Sequence, residues 1–591
     1  MKDLTNTQAG YLAGLNEQQL DAVTCDADIV FVSAGPGTGK THMLTSKLVH
    51  IVADNQDYQK IVALSYTNTA ARQLGDRFYR KLEECGVSKE VSIFNGTIHS
   101  YCYRMLKTYY TAFDHIILDD EELWELADDI RKAMKSDVPM DRIIGCLKSE
   151  SRSMNTQLYD AVSKVKDALK VISIQDILVF FLNALQTDAG FRDWMGDKVT
   201  VVAVDEAQDL SELNYRILDA MIDAIPGLKV FLVGDPRQNI FEFNGGSYKN
   251  LRDFLDRHPG NVQKTLSITY RCGQAIADYV NTFRFSDCEN AQLRSMQQDA
   301  GTIQVEVART EEEEARRVIN EIISQGELSK TAIICNSLRY LDVLISMLIE
   351  REIPYKVFGG RKLLKRHIRF LNHVLRIVDT ENAYSIRKVA QYAGIDISQD
   401  GVKKKSLFFA SDLGQRIQYL REAAQSLSFE QIARLAISDI VSSPEDDVAV
   451  NADFTAFLGI TREYASVSEY LTAFATDRES FTQFYESDYV ECPFRTDSDA
   501  LTLSTIHSAK GLEWENVYIM GLCEGNFPNP YFCKAKTPEE EQDFFNTEWK
   551  KMYVASTRAK ENLYLTYSSS IQRKGYTFTK SPSRFINDRV L

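Results

Sequence analysis

The sequence predicts an α/β protein with two doubly wound parallel-sheet domains, each with a mostly helical insertion. Four short runs rich in Val, Ile and Leu occupy 28–34, 60–67, 199–206 and 228–235. Such runs are typical of strands buried on both faces of a parallel sheet. A second series occupies 331–337, 355–360, 500–507, 516–522 and 562–568. Helical patterns lie between the runs, and strands that alternate with helices favour doubly wound sheets.

Two long segments interrupt this alternation and set the expected domain boundaries. The segments 105–197 and 362–496 have mostly helical patterns and few strands, so we interpret each as an insertion into one α/β domain. The expected division of the 591 residues is a first α/β domain at 1–104 and 198–261, its insertion at 105–197, a second α/β domain at 262–361 and 497–591, and its insertion at 362–496.

Composition indicates a folded protein and narrows the classes of partner. Hydrophobic residues make up 44% of the chain and charged residues 26%, which is ordinary for globular proteins. The net charge of -15 argues against indiscriminate coating of a duplex, but it is compatible with a local basic channel. The ten cysteines form no C-x-x-C pair, which indicates reduced thiols and a cytoplasmic protein. The chain shows neither a secretory leader nor a run of 18 apolar residues, so we expect no membrane association.

The segment VSAGPGTGKTH at 32–42 is similar to a phosphate-binding loop between a strand and a helix. Ala34 stands where the usual pattern has its first glycine, and it is acceptable there if the turn begins at Gly35. We expect the backbone N–H groups of Gly35 to Thr41 to point at the β-phosphate. Lys40 then reaches the β- and γ-phosphates, and Thr41 is a ligand for Mg²⁺. The alternative is a chance glycine-rich turn.

Two further strand ends carry polar residues suited to the same chemistry. Asp205 and Glu206 end the run VVAVDE, where doubly wound sheets place their ligands. We expect Asp205 to hold Mg²⁺ and Glu206 to orient and deprotonate the attacking water. Gln238, in VGDPRQNIF, is placed to sense the γ-phosphate. The alternatives are a strand-end acidic pair and a simple turn.

These pieces, in this order, resemble the superfamily 1 helicases of the UvrD/Rep/PcrA type. Further segments along the chain match the motifs of that family. They are LNEQQLDAV at 15–23, SYTNTAA at 65–71, GTIHSY at 96–101, LSITYRC at 266–272, PYKVFGGRKL at 354–363, STIHSAKGLEW at 504–514, EGNFP at 524–528 and YVASTRAK at 553–560. Alanine at the first loop position is itself common in this family, so Ala34 points toward the resemblance.

The resemblance implies RecA-like parallel-sheet domains with ATP bound between them. It places Gln19 against adenine, Tyr270 on the adenine face, and Arg271 on the γ-phosphate, and it makes Arg558 the arginine finger. The catalytic set it implies is Lys40, Asp205, Glu206, Gln238, Arg271 and Arg558. The cofactor-binding set is Gln19, Ala34, Gly35, Pro36, Gly37, Thr38, Gly39, Lys40, Thr41, His42, Tyr270, Gly511 and Glu513, and the cofactors are ATP and Mg²⁺.

The resemblance also implies a path for single-stranded DNA. Polar neutral side chains position a strand without reading its bases, and an aromatic ring stacks on any base. The expected DNA contacts are Thr67, Asn68, Thr97, His99, Phe243, Thr505 and His507. For the two histidines the alternative is a structural role, and for the segment IFEF at 240–243, which contains Phe243, the alternative is a plain core.

Three functions are compatible with these residues. The first is an ATP-dependent 3′–5′ DNA helicase and translocase that acts on single strands and tailed duplexes, in repair, recombination or anti-phage defence. The second is an ATP-gated DNA-sensing subunit of a partner nuclease. It is motivated by the two insertions, which are short for this family, by the acidic net charge, and by NIFEFNGG at 239–246, where the family usually has SIYGWRGA. The third is a nucleotide-binding protein with no DNA role.

Overall fold

The computed structural model describes most of the chain. The described residues are 10–54, 60–86, 91–111, 113–134, 137–149, 156–241, 245–298, 300–336, 339–359, 362–395, 403–441, 448–477, 481, 484–487, 492–493, 499–530, 533, 537–573 and 576–586. Among them, no helix combines the length and the apolar composition needed to cross a membrane.

The first sheet has six parallel strands. In spatial order they are Ser92–Gly96, Lys60–Leu64, Val201–Val204, Lys229–Gly234, Ile29–Ala34 and Val262–Leu266. Ile29 and Phe31 face one core, while Val30 and Val32 face the other, because successive side chains of a strand point to opposite faces. Helices cover both faces: Glu17–Thr24, Lys40–Asp54 and Asn68–Glu84 on one, and Ile98–Tyr109, Glu212–Ala224 and Tyr248–Arg257 on the other.

The second sheet repeats this architecture. Its six parallel strands, in spatial order, are Thr302–Ala308, Ala559–Ser568, Trp514–Met520, Thr331–Cys335, Leu501–Thr505 and Tyr355–Phe358. Ile334 and Ile333 again face different cores. The covering helices are Gln274–Val280, Ile506–Ala509 and Pro538–Ser556 on one face and Glu311–Gln325 and Arg339–Glu350 on the other.

The two inserted segments are helical. The first contains helices Asp120–Met134, Met140–Leu147, Thr156–Leu169, Ile174–Thr187 and Ala189–Gly196. The second contains Arg366–Thr380, Ala383–Tyr392, Lys403–Ala410, Asp412–Ala423, Phe429–Ala436, Val448–Ile460 and Val467–Thr476, with a π-helix at Ile437–Val441. Short strand pairs complete the fold: Ile116–Ile117 with Val171–Ile172, Lys362–Leu364 with Tyr485–Ser487, Ile268–Thr269 with Arg294–Ser295, and Ser570–Arg573 with Tyr576–Thr579. Single 3₁₀ turns lie at Gly10–Leu12, Ala207–Asp209, Pro236–Gln238, Leu328–Lys330 and Thr461–Glu463.

The predicted fold class is confirmed, since all nine apolar runs form strands in two parallel sheets. Three edge strands have no counterpart among those runs: Ser92–Gly96, Val262–Leu266 and Thr302–Ala308. The last two largely alternate exposed and partly buried residues, because successive side chains point to opposite faces of the sheet. Val262–Leu266 pairs with the phosphate-loop strand, so this strand belongs to the first sheet although it follows the boundary expected at 261/262.

The two insertions contact each other through buried charges. The carboxylate of Glu122, in the first insertion, accepts from Arg376 Nη1 of the second, and both side chains are at least nine-tenths buried. His373 Nε2 lies 3.7 Å from the same carboxylate. Tyr384, from the second insertion, packs into the core of the first. The pair Glu125 and Lys388 continues the interface toward the surface.

Candidate nucleotide and DNA site

The phosphate loop connects the strand Ile29–Ala34 to the helix Lys40–Asp54. Gly37 has φ 69° and Gly39 has φ 76°, a backbone region that side chains disfavour. A Cβ atom at Gly37 would lie 2.4 Å from the Cβ of Arg271, and one at Gly39 would lie 2.7 Å from Nε2 of Gln19. Both positions therefore require glycine, for conformation and for close approach.

The N-terminal half of the loop is bound into the protein. Ala34 is a fully buried strand residue paired with Leu266, so no positive φ is needed there. The Gly35 N–H donates to Leu266 O at 3.3 Å, which corrects the expectation that it points at a phosphate. Thr38 Oγ1 donates to Gly35 O at 2.8 Å, and Thr269 Oγ1 donates to Pro36 O at 2.9 Å. These hydrogen bonds fix the shape of the loop. Residues of its C-terminal half, such as Lys40 and Thr41, face a cleft that can hold a ligand.

A cleft of about 820 Å³ opens in front of that C-terminal half. It is lined by predicted residues, namely Gly37, Gly39, Lys40, Thr41, His42, Tyr270, Arg271 and Glu513, and by residues that sequence reasoning missed, namely Arg77, Met296, Gln297, Gln298, Lys560 and Glu561. Lys560 ends the YVASTRAK segment, so its motif could have identified it. Arg77 reaches the cleft from the middle of a helix, where no local pattern marks it.

Gln19 supports the loop from behind and does not line this cleft. Its side chain is 2% exposed; Nε2 donates to Thr38 O at 2.9 Å and Oε1 accepts from Asn16 N at 3.1 Å. Asn16 Nδ2 also donates to the hydroxyl of Tyr270 at 2.9 Å. In this conformation Gln19 therefore contacts the loop and its neighbours, and its contact with adenine stays a prediction.

The acidic strand end lies directly beside the loop lysine. Lys40 Nζ is 3.2 Å from Glu206 Oε1. Burial alone would lower the pKa of Lys40, but Glu206, Asp205 and Asp235 outweigh it and raise that pKa. Burial and the adjacent Glu206 raise the pKa of Asp205 to about 6. Glu206 has φ 56°, a strained region for a side chain of its size, so its surroundings hold it in place.

Gln238 connects the two domains next to these carboxylates. Its Nε2 donates to Asp235 Oδ2 at 2.9 Å, and its Oε1 accepts from Arg558 Nη2 at 3.4 Å. Arg558 is 1% exposed and also donates to Val554 O and Leu512 O. Burial and the nearby Arg271 lower its pKa to about 9, so the guanidinium is still charged at neutral pH.

Arg271 lines the cleft beside the loop, next to Gly37. Its Nε donates to Glu513 Oε2 at 2.6 Å, and its Nη1 donates to Thr557 O at 3.2 Å. Lys560 Nζ lies 3.0 Å from the other oxygen of Glu513. Burial alone would raise the pKa of Glu513, but Arg271 and Lys560 outweigh it and lower that pKa. Gly511, with φ 90°, is exposed and does not line the cleft.

Three of the predicted DNA contacts are threonines that cap helices. Thr67 and Thr97 follow a sheet strand and Thr505 ends one. Each hydroxyl accepts a backbone N–H at 3.2–3.3 Å, from Ala70, Ser100 and Ser508 respectively. The strands before Thr67 and Thr97 are neighbours in the first sheet. Helix N-termini with uncommitted N–H groups attract phosphates, so this edge suits a DNA backbone.

An aromatic row connects this edge across the domains. Tyr66 stacks on Phe241 with ring centroids 5.0 Å apart and planes at 16°. Phe241 lies 6.0 Å from His507 of the second domain. Tyr66 and Phe241 were missed, although both occur in motif segments, because a motif does not show which rings meet. The predicted base-stacking residue Phe243 lies outside the described residues.

The remaining DNA candidates are placed differently. Asn68 Nδ2 donates to Thr476 O of the second insertion at 3.0 Å, so in this conformation that insertion lies on the predicted path. Burial lowers the pKa of His99 to about 4. Burial, together with Lys551 and Lys510, lowers the pKa of His507 to about 4. Both rings are therefore neutral at pH 7.

These histidines predict a stability loss in acid. A histidine of pKa about 6.5 in the unfolded chain and about 4 in the folded protein favours folding fully above pH 6.5. That contribution is lost as the pH falls from 6.5 toward 4, by at most about 1.4 kcal/mol per pH unit for each histidine. The double variant His99→Gln/His507→Gln is expected to lose less stability than the wild type between pH 7 and pH 5 in urea unfolding. An equal loss of stability in the double variant and the wild type over this pH range would contradict the lowered pKa of the two histidines.

The loop, the acidic strand end and the two parallel sheets define a P-loop protein with its cleft between two α/β domains. The model of the UvrD/REP helicase N-terminal domain matches residues 15–144 and 143–259, and that of the UvrD-like helicase C-terminal domain matches 265–419 and 461–570. The chain therefore belongs to the UvrD/Rep helicase family, as the motif segments predict.

Curated relatives match nearly the whole chain. The ATP-dependent DNA helicase PcrA of Staphylococcus aureus (strain Mu50) is 26% identical over 644 aligned residues, which cover 97% of this chain and 86% of the relative. The protein of the same name from Staphylococcus epidermidis (strain RP62A) is 25% identical with the same coverage.

Proposed function

We propose that this protein is an ATP-dependent helicase and translocase that moves 3′ to 5′ on single-stranded DNA and acts on tailed duplexes. The observation that carries the proposal is the cleft. It is lined both by the phosphate loop of the first domain and by Arg271 and Glu513 of the second. A nucleotide bound there contacts both domains, so its hydrolysis changes how they sit together. The relatives' name, ATP-dependent DNA helicase, supports this reading. The domain division of the chain, with its first boundary moved to Leu266, is part of the same proposal.

The residues present fit ATP and Mg²⁺. The cleft volume of about 820 Å³ is within the usual range for ligand pockets. The Thr41 hydroxyl and the Asp205 carboxylate offer the hard oxygen donors that Mg²⁺ requires. When bound, the ion neutralises charge on the phosphates. Lys40 and Arg271 would bind the phosphate oxygens, while Tyr270, 42% exposed at the cleft, would offer its ring to the base.

Glu206 and Arg558 would carry the chemical step. Glu206 is the ionised carboxylate nearest to Lys40, and it would take the proton of the attacking water. Arg558, joined to Gln238 across the domains, would stabilise the charge that develops on the transferred phosphoryl group. Arg558 is buried and Glu206 is partly buried, which strengthens their electrostatic effect.

The DNA strand would cross the carboxyl edges of both sheets. The capped helix ends at Thr67 and Thr97 would hold phosphates, and the row of Tyr66, Phe241 and His507 would offer faces to bases. Contacts of this kind do not depend on base identity, which suits a motor that moves along any sequence.

The decisive test measures ATP hydrolysis and strand separation together. We expect ATPase activity that rises when single-stranded DNA is added, and a loss of about 10²–10³-fold in turnover for Lys40→Ala, because the substitution removes a charged phosphate contact. Lys47→Ala is the control lysine: it lies on the same helix and donates to Val23 O at 3.1 Å, away from the cleft. Turnover that is unchanged by DNA would support a nucleotide-binding protein with no DNA role.

Polarity is tested with tailed duplexes. We expect unwinding of a duplex with a 3′ single-stranded tail and little unwinding of a 5′-tailed or blunt duplex of the same sequence. Unwinding from 5′ tails alone would contradict the direction. A nuclease partner, the second hypothesis, is tested with Lys40→Ala: nuclease activation that survives the loss of ATP turnover would favour a regulatory subunit.

A further inference from the structure

Lys510 belongs to the second domain, and its side chain contacts the carboxylates of Asp209 and Glu206 in the first domain. It follows the short helix Ile506–Ala509, and its side chain is 9% exposed. Its Nζ donates to the carboxylate of Asp209 and, at 2.9 Å, to the backbone oxygen of Gln238, and it lies 4.0 Å from Glu206 Oε2. Since the strands before Glu206 and Gln238 are neighbours, one ammonium contacts two adjacent strand ends.

The position of Glu206 depends on this contact. Glu206 lies between two ammonium groups, with Lys40 Nζ 3.2 Å from its Oε1 and Lys510 Nζ 4.0 Å from its Oε2. Gln208 Nε2 links the two carboxylates, at 2.6 Å from Glu206 Oε2 and 3.3 Å from Asp209 Oδ2. A displacement of Lys510 therefore alters both the local field and the hydrogen bonds that hold Glu206.

The same lysine contacts the aromatic row. Its Nζ lies 4.9 Å from the centroid of the Phe241 ring, within the range of a cation–π interaction. Phe241 stacks on Tyr66, so the two rings leave no room for a base between them. A base that enters there must separate the rings, and Phe241 cannot move without changing its contact with Lys510.

We propose that Lys510 is a positioning residue that transmits the presence of a base at Tyr66 and Phe241 to the catalytic carboxylate Glu206. This inference rests on the proposed function and adds the element that couples DNA to hydrolysis. Without a base, the stacked rings hold Lys510 between Phe241, Asp209 and Gln238. With a base, Phe241 moves, the ammonium shifts, and Glu206 gains its productive orientation toward water.

The test compares turnover with and without saturating single-stranded DNA, with oligo-dT as the probe. For Lys510→Gln we expect the ratio of DNA-saturated to DNA-free kcat to fall by about tenfold or more, with the 10²–10⁴-fold that a positioned base contributes as the upper limit. The KM for ATP and the Kd for oligo-dT should change far less. Lys510→Arg, which keeps the charge, should restore much of the ratio. A variant that raises KM and weakens oligo-dT binding but keeps the ratio would show a merely structural lysine.

Lys580→Gln is the matched control. Lys580 also pairs with a carboxylate, Glu311 at 3.1 Å, and lies over a ring, Tyr340 at 6.0 Å, but both partners belong to the second domain. This variant should keep the wild-type ratio. If the wild type itself shows no DNA stimulation, the proposed function is overturned together with the coupling. If the wild type is stimulated and Lys510→Gln is stimulated equally, only the coupling is overturned.

Phe241→Leu tests the same connection from the DNA side. It removes the ring over Lys510 and leaves the ion pair with Asp209 in place. We expect a reduced stimulation ratio, and we expect the double variant with Lys510→Gln to be no worse than the poorer single variant, because both act on one path. Effects of the two substitutions that multiply would overturn the proposed path.

Discussion

Replacing Arg558 with lysine is expected to lower the rate of ATP hydrolysis by about 10³- to 10⁵-fold, the contribution of an arginine finger. Lysine keeps a positive charge but lacks the planar fork that contacts Gln238, Val554 and Leu512 at once. The loss should appear in kcat, because the group acts on charge that develops in the transition state. Steady-state ATPase measurements with saturating single-stranded DNA check this expectation.

The control for Arg558 is an arginine of the same domain outside the cleft. Arg584 pairs with Glu524 at 2.9 Å and is 44% exposed. Arg584→Lys should therefore leave turnover unchanged. Melting curves and nucleotide binding show whether Arg558→Lys is folded. A folded Arg558→Lys protein whose kcat stays within about tenfold of the wild type would remove Arg558 from the catalytic set.

Replacing Arg376 with methionine is expected to destabilise the contact between the two insertions by about 3–5 kcal/mol. Arg376 is the partner of Glu122, whose side chain is 3% exposed. Its Nη2 also donates to Ile117 O at 3.4 Å, and the Glu122 backbone oxygen lies 3.5 Å from the hydroxyl of Tyr384. Removal of the guanidinium leaves a buried carboxylate without its counter-charge, which is the main cost. Urea unfolding followed by circular dichroism measures it.

Two further variants separate charge from packing in this contact. The double variant Arg376→Met/Glu122→Gln removes both charges and should recover most of the lost stability, because no isolated charge remains buried. Arg387→Gln breaks a pair with Asp129 at 3.0 Å in the same interface, but Arg387 is 42% exposed, so the cost should be less than about 1 kcal/mol. A single Arg376→Met that costs no more than Arg387→Gln would contradict the role of the buried pair.

Some residues of the candidate site can be predicted from the local sequence, whereas others are identified only from the three-dimensional structure. Lys40 and Glu206 follow buried strands, and the carboxyl ends of parallel strands meet at one edge, so their proximity could be predicted. The resemblance to the family's motifs implied that Arg271 and Arg558 belong to the same nucleotide site. For Gln19 and Gly35, the role in the family's motifs does not predict the contacts seen in the structure. Gln19 donates a hydrogen bond to the loop and Gly35 donates one to Leu266, and both bonds depend on the packing around them.

The sequence by itself determined two parallel sheets, two helical insertions and the phosphate loop, because these depend on hydrophobic periodicity and on turns a few residues long. It also determined the family, through motifs that keep their order along the chain. Only the tertiary structure decided that Lys510 reaches Asp209, that Tyr66 meets Phe241, and that Glu122 is neutralised by Arg376. Each of these contacts joins residues far apart in the chain, so it exists only where two packed domains bring a charge or a ring to its partner.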